Sequence, residues 1–361
     1  MDTPHLSGRR PLPHMAVVQY HPLSRPAAPR VSVCIANFNG EAMLADCIDS
    51  VLAQDTSAEV EVLVHDDASS DRSLDVLRHR YPQVSILASS DNVGFCVANN
   101  RMAAAARGEF LLLLNNDAAL APDAIRSFLA SAGAIATPAI FTCPQYDWEN
   151  GRLVDRGCLL DPFYNPVPNL DPRHNDVAYV IGACLWCQRT LWGELGGFPE
   201  WFGSIAEDIY LCSVARLRGF AVRCIDGSGY RHRQGASFGG NRAEGGLRST
   251  YGRRALSERN KTAVMLVCTP GWTVWPLLSA HLALLYVEGA LLSTLRRDLR
   301  LWREVYLPVL PGIVATHSRW MPLRRRIQAD RSMSLRNWWL SFTWMPRKLS
   351  LLWRHGMPRI T

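Results

Sequence analysis

The sequence predicts an α/β fold: a Rossmann-like, mostly parallel sheet with flanking helices, followed by a C-terminal helical extension. Three observations carry this reading. From Arg30 onward, short apolar runs alternate with stretches whose apolar residues recur at helical spacing. The runs end in polar residues, at the strand ends where such sheets bind ligands. Beyond about residue 260 the chain turns first apolar and then strongly basic.

Val31 to Ala36 is the first apolar run, and Leu44, Ile48, Val51 and Leu52 then repeat at i, i+4, i+7 and i+8, one face of a helix. The unit recurs. Val60 to His65 reads as strand, Ser73 to Tyr81 as helix, Val84 to Leu87 as strand, Val97 to Ala106 as helix and Phe110 to Leu114 as strand. Pro122 suits a first helical turn, so a helix runs from there to about Ala132. Cys143 to Asp176 carries five prolines and reads as an irregular loop region. Val177 to Arg189 returns to strand character. Ile209 to Leu217 is helical and closed by Gly219, and Phe220 to Ile225 and Gly229 to His232 are short strands. A Gly/Arg-rich stretch, Arg233 to Arg254, follows. The expected division is a proline-rich, unstructured N-terminus (1–29), an α/β domain (30–260) and a hydrophobic, Trp/Arg-rich extension (261–361).

Size and composition exclude the extremes. With 361 residues, 48% hydrophobic and 20% charged, the chain is neither disordered nor polytopic. Residues 296–361 hold fourteen arginines and lysines against Asp298, Glu304 and Asp330, a net +11 in a chain of +7, so residues 1–295 carry −4. A mildly acidic body speaks against nucleic acid as its partner. The first thirty residues hold six prolines and no apolar core of a signal peptide, so a cytoplasmic chain is expected. The ten cysteines sit in apolar runs and read as reduced core thiols; Cys184 and Cys187, three apart on a strand, point to opposite faces and cannot share a metal.

The polar strand ends supply the candidate chemistry. The first strand ends at Ala36, Asn37 and Asn39, the second at Asp66 and Asp67, and Asn92, Gly94 and Asn99 open a helix whose N–H groups could approach a ligand. Asp66 and Asp67 suit a nucleotide's hydroxyls or base, with an Asx turn as the plain alternative. Asn116 and Asp117 follow the central strand, where a carboxylate could hold a divalent cation against a diphosphate; His232 is the candidate second ligand. A loop-capping Asp and a packing His are the alternatives. Glu207 and Asp208 open a helix, whose dipole favours ionised carboxylates, and an ionised carboxylate can take a proton from a hydroxyl.

From Thr262 to Val287 there is no formal charge, but Pro270, Gly271 and Pro276 interrupt the run. Leu277 to Leu295 is long enough to span a bilayer, yet contains Glu288, at about 2.5–3.5 kcal/mol for a central carboxylate. The preferred reading places residues 277–361 on an anionic membrane surface, with Trp302, Trp320, Trp338, Trp339, Trp344 and Trp353 at headgroup level and arginines on lipid phosphates. Packing of the extension on the body is the alternative.

Taken in order, Val31-Ser-Val-Cys-Ile-Ala-Asn-Phe-Asn-Gly40, Asp66-Asp-Ala-Ser-Ser-Asp71, Asn92-Val-Gly-Phe95 with Asn99-Asn100, Leu113-Leu-Asn-Asn-Asp-Ala118, Gly182-Ala-Cys-Leu185, Gly196-Gly-Phe-Pro199, Glu207-Asp-Ile-Tyr-Leu211 and His232 resemble the family-2 inverting glycosyltransferases of GT-A fold. The likeness is to a branch such as the bacterial rhamnosyltransferases of the cell envelope, and covers about residues 30–260. It implies a nucleotide-sugar donor (dTDP-rhamnose is one), a divalent cation, Mn²⁺ or Mg²⁺, and a glycan or polyprenyl-diphosphate-linked acceptor at the inner face of the cell membrane. It also implies that Asp67 contacts the nucleotide, Asp117 is the last acid of a DxD metal motif, His232 is a late metal ligand and Asp208 is the base of an ED pair. Asn115-Asn116-Asp117 departs from DxD by keeping only the final acid. A non-catalytic nucleotide-sugar-binding or scaffold protein on the same fold is the rival function.

Overall fold

The computed structural model describes residues 17–22, 26–234, 248–355 and 359–360. After a first strand Val17–Tyr20 (β1), the first half is the expected alternation: Val31–Asn37 (β2), helix Glu41–Leu52 (α1), Val60–Asp66 (β3), Ser73–Arg80 (α2), Ser85–Ser89 (β4), Phe95–Ala105 (α3) and Phe110–Asn115 (β5). There follow Ala118–Leu120 (β6), Ala124–Gly133 (α4), Ala139–Thr142 (β7), four short strands Gln145–Asp147 (β8), Leu153–Asp155 (β9), Cys158–Leu160 (β10) and Pro166–Pro168 (β11), then Cys184–Gln188 (β12), Arg189–Leu195 (α5), Glu207–Leu217 (α6), Ala221–Cys224 (β13) and Tyr230–His232 (β14).

The main sheet runs β1-β4-β3-β2-β5-β12-β7-β13. Strands β4, β3, β2 and β5 are parallel, with Val31 opposite both Val60 and Phe110. Side-chain alternation splits each strand between two cores. Val33, Ile35, Val62, Val64, Leu112 and Leu114 meet α1, α2 and α4 on one face, while Cys34, Leu63, Leu111 and Leu113 meet α3, α5 and α6 on the other. Burial on both faces explains why these strands read as unbroken apolar runs. Cys184 and Cys187 fall into opposite cores, as the strand spacing predicts, and all ten cysteines are buried free thiols.

The sheet is mixed rather than mostly parallel. The chain enters β12 at the end where β5 leaves, so β12 runs antiparallel to both β5 and β7. The expected strand from Val177 to Arg189 is therefore only Cys184–Gln188, because the chain turns at Gly182. Cys143 to Asp176 is not loop throughout: β8 and β9 join β6 and β14 in a small second sheet, order β6-β14-β8-β9, and β10 pairs with β11. Nor is the N-terminus wholly without structure, since β1 pairs antiparallel with β4 along its edge. Residues 1–16 and 235–247 lie outside the described residues.

Helix Tyr251–Cys268 (α7), N-capped by the Thr250 hydroxyl, runs through residue 260, where the sequence reading divides the domains. Val274–Arg296 (α8), a π-helical turn Leu301–Tyr306, Val309–Ala315 (α9), His317–Ala329 (α10), Leu335–Trp339 (α11) and Arg347–His355 (α12) complete the chain. Helix α6 is buried along almost its whole length because α7 and α10 cover the side that the sheet does not. Its terminal carbonyl, Leu217 O, accepts from Ser332 and Met333 N–H, and Arg216 donates to Trp338 O while stacking on the Trp338 ring.

The extension is thus partly core, which corrects its tryptophans and arginines. Trp320 and Trp338 are buried, and Arg324 is spent on the carbonyls of Leu266, Thr269 and Gly271 at the end of α7. Trp344 and Trp353 are 77% and 89% exposed, and so are free to meet another surface. Helix α8 is amphipathic in the inverted sense. His281, Glu288 and Gly289 face inward, with Glu288 paired to Arg254 and Lys348, whereas Trp275, Leu284, Val287, Leu291 and Leu295 face out. It is the one described helix long and apolar enough to cross a membrane.

Trp186 on β12 is sandwiched between Phe110 and Phe128, each 5.0 Å away, and its indole N–H meets no partner among the described residues. Trp186→Ala is expected to cost about 3–5 kcal/mol by denaturant unfolding, the range for emptying a large aromatic site. Trp186→Phe should cost markedly less, since no acceptor is left unpaired.

Candidate active site

The predicted donor residues form a hydrogen-bonded floor at the carboxyl ends of β2, β3 and β5. Asn37 Nδ2 donates to Asp66 Oδ2 at 2.9 Å, and Asn116 Nδ2 donates to Asn37 Oδ1 at 2.8 Å. Asp66 Oδ1 accepts from Ser69 N–H, the Asx-type turn that was the plain alternative for this residue. Asn39 takes a left-handed φ of 50°, and its Oδ1 accepts from Ser70 N–H. Gly40 leaves room for this pair: a Cβ there would come within 2.2 Å of the Asn37 and Asn116 amides and push them apart.

Asp67 is buried, and its two oxygens accept from Val93 and Gly94 N–H at 2.7 and 2.8 Å. Burial raises its pKa against the lowering effect of these bonds. It therefore shapes the loop in which Asn92 is exposed and Gly94, at φ 86°, opens α3. Asn99 turns inward and donates to Phe95 O, a bond within its own helix. Asn100, not among the predicted site residues, does more: it exchanges hydrogen bonds with Phe198 N–H and O and so holds the Gly196-Gly197-Phe198 turn. Adjacent asparagines on one helix were the available signal.

Asp117 and His232 are brought together as predicted. Asp117 Oδ1 lies 3.0 Å from His232 Nε2, because β14 pairs antiparallel with β6 and sets His232 opposite Ala118. Both are buried, and His232 Nδ1 has no partner among the described residues. One carboxylate and one imidazole make a donor set suited to a divalent ion of the Mn²⁺ type. No group of three or more His, Cys, Asp or Glu gathers among the described residues, so further ligands would come from a bound diphosphate or water. Asp155, buried on β9 and electrostatically coupled to His232, was missed because it lies in the stretch read as loop; burial pushes its pKa up to about 7.

Glu207 and Asp208 open α6 after two successive left-handed residues, Ile205 (φ 71°) and Ala206 (φ 68°). Such conformations cost about 1–3 kcal/mol each in residues other than glycine, and they collect at functional sites. Asp208 Oδ2 accepts from Gly182 N–H at 3.1 Å and Oδ1 from Ile209 N–H at 2.7 Å. Glu207 is buried and its Oε2 has no partner among the described residues. Burial raises both carboxyls. Asp208's charge raises Glu207 further, the Gly182 and Ile209 N–H groups oppose the shift at Asp208, and the Arg253 guanidinium on α7 opposes it at both. Arg253 was missed because it lies in the Gly/Arg-rich stretch, where one arginine looks like the next.

The two halves of the site meet across one strand pair. Asn115 N–H donates to Ala183 O at 3.0 Å, so Asp117, two residues beyond Asn115, and Gly182, which holds Asp208, leave the same end of the sheet.

A carboxyl raised by burial adds stability that is full below its unfolded pKa and is lost as pH rises through the folded value. Melting temperatures measured from pH 5 to 9 are therefore expected to fall less steeply with rising pH in Glu207→Gln than in the parent chain.

Residues 32–193 match the family model described as glycosyl transferase family 2. N-acetylglucosaminyl-diphospho-decaprenol L-rhamnosyltransferase of Mycobacterium tuberculosis is 27% identical over 285 residues, 68% of this chain and 89% of its own length. The O-antigen biosynthesis protein RfbC of Myxococcus xanthus is 26% identical over 58% of this chain and 18% of its own length. Among solved structures, GalNAc-T7 with UDP, GalNAc and Mn²⁺ superposes at a TM-score of 0.50 over 56% of this chain and 42% of its own, at 16% identity, a likeness of fold. Strand order and family model agree: what this chain shares with glycosyl transferase family 2 is residues 32–193.

Proposed function

We propose that the protein is a metal-assisted inverting glycosyltransferase. It moves a sugar from a nucleoside-diphosphate donor to a hydroxyl of a polyprenyl-diphosphate-linked glycan at the cytoplasmic face of the membrane. The observation that carries this reading is the Gly182–Asp208 hydrogen bond, which hangs a carboxylate on the strand pair that also presents Asp117, itself hydrogen-bonded to His232 of the second sheet. Asp208 accepts the proton of the incoming hydroxyl, and its two backbone donors hold the ionised form ready. Glu207, harder to ionise, leaves Asp208 as the charged member of the pair. A divalent ion held by Asp117 and His232 would neutralise charge on the departing diphosphate. Asp67 sets the Asn92–Gly94 loop beneath the nucleotide, and one displacement without a covalent intermediate inverts the anomeric carbon.

The relative from M. tuberculosis is by name an L-rhamnosyltransferase acting on a decaprenol-linked sugar, which makes dTDP-rhamnose the first donor to test. The outward face of α8, apolar from Trp275 to Leu295 and followed by Arg296, Arg297, Arg300 and Arg303, supports an in-plane seat on anionic lipid.

Three outcomes are expected. UDP, GDP or dTDP should raise the melting temperature only with Mn²⁺ or Mg²⁺ present, and a shift that ignores metal removes Asp117 and His232 as its holders. Asp208→Asn should keep nucleotide binding within threefold but lower turnover about 10³-fold or more, within the range of general-base loss; near-normal turnover rejects Asp208 as base. Leu284→Asp with Leu291→Asp should weaken co-sedimentation with phosphatidylglycerol vesicles about tenfold, since each removes buried apolar area. Deleting residues 296–361 would not test this, because Trp320, Trp338 and Arg324 belong to the core.

A further inference from the structure

The loop that delivers Glu207 and Asp208 is held from outside the matched family region. Asn260, wholly buried on α7, directs its side-chain amide at three backbone carbonyls of that loop: Phe202 O at 3.1 Å, Ser204 O at 2.8 Å and Ile205 O at 2.9 Å. Its own oxygen accepts from Arg259 Nε at 2.9 Å, which fixes which end of the amide faces the loop. Arg259 also donates to Phe202 O at 3.0 Å. On the other side, Gly203 O accepts from Cys96 N–H at 3.0 Å, so the loop is stretched between α7 and the start of α3.

Left-handed backbone at Ile205 and Ala206 needs surroundings that over-determine it. The side chains at 205 and 206 cannot do this, since neither carries a hydrogen-bonding group. The carbonyls can, and those of Ser204 and Ile205 end on one amide.

We infer that Asn260 is a positioning residue for the transfer step, holding the Phe202–Ile205 loop in the conformation that sets the Asp208 carboxylate against Gly182. Its own hydrogen bonds reach none of the donor or metal candidates and end on the loop that carries Glu207 and Asp208, so its direct hold is on the proton-accepting side of the site. The inference rests on the proposal that Asp208 is the base.

The test compares Asn260→Ala, Asp208→Asn and the double variant in the full-length protein. Nucleotide affinity is read by calorimetry with dTDP, UDP and GDP in the presence of Mn²⁺, and turnover with the sugar donor of whichever nucleotide binds. Asn260→Ala is expected to lower kcat about 100-fold, the scale of a misplaced reacting group, while nucleotide Kd stays within threefold. The double variant should be no slower than Asp208→Asn alone, because Asn260 works only through Asp208. Asn260→Ser keeps one donor and should show the same split at a smaller loss; it replaces Asn260→Ala if the alanine chain does not fold. Losses that multiply in the double variant, kcat within threefold of the parent, or a fall in nucleotide affinity that matches the fall in kcat would each overturn the inference. Normal turnover of Asp208→Asn would remove the functional reading and this inference together, whereas a dead Asp208→Asn beside an active Asn260→Ala would remove the inference only.

Discussion

The antiparallel pairing of β12 with β5, from Leu114 opposite Cys184 to Phe110 opposite Gln188, sets the span across which the charges of the site act. Asp117 hangs from the outgoing end of β5 and Asp208 from the residue that leads into β12. Both anchor points lie at one end of a five-residue ladder buried on both faces. The proposed displacement needs such a span, with leaving-group charge met on one side and a proton accepted on the other. Loops alone could not hold two carboxylates at a fixed separation, because exposed segments open at little free-energy cost.

Helix α7 carries a comparable burden in the opposite direction. Near its start Arg253 faces the Glu207 and Asp208 carboxylates, and further along Asn260 grips the preceding loop. Between them Glu258 accepts charge from both Lys261 and Lys348, and Lys348 continues to Glu288 on α8. These are the only two lysines in a chain otherwise supplied with arginine, and they meet at one buried carboxylate. Such networks contribute little net stability but are costly to break singly, since one removed partner strands a buried charge. Specificity of arrangement is what the network supplies here: it seats α12 and α8 in one register and leaves the apolar face of α8 outward.

Much of the α/β body was legible because its signals are local. The short apolar run Val31 to Ala36, helical spacing in Leu44 to Leu52 and a polar residue at each strand end require no knowledge of tertiary contacts. The expectation for Cys143 to Asp176 failed for a physical reason. Three-residue strands such as β8 and β9 are too short to show a period, and β8 is held in a sheet by β14, a partner distant in the chain. In the extension, Trp338 and Trp344 look alike in sequence, yet one packs against Arg216 and Phe342 and the other is open. Glu288 looked like an obstacle in an apolar helix until Arg254 and Lys348 supplied its charge partners.

The sequence by itself determined the strand-and-helix alternation, the identity of the candidate acids and the −4 to +11 division of charge, since each depends on residue type and spacing alone. Tertiary structure decided which of those acids stand together and in what state. It set Asp117 beside His232 through a strand pairing across 115 residues, turned Asp67 onto the Val93–Gly94 backbone, and buried Glu207 deeply enough to hold its pKa above that of an ordinary carboxylate. Pairing, burial and field are properties of residues distant in the chain, and no local pattern encodes them.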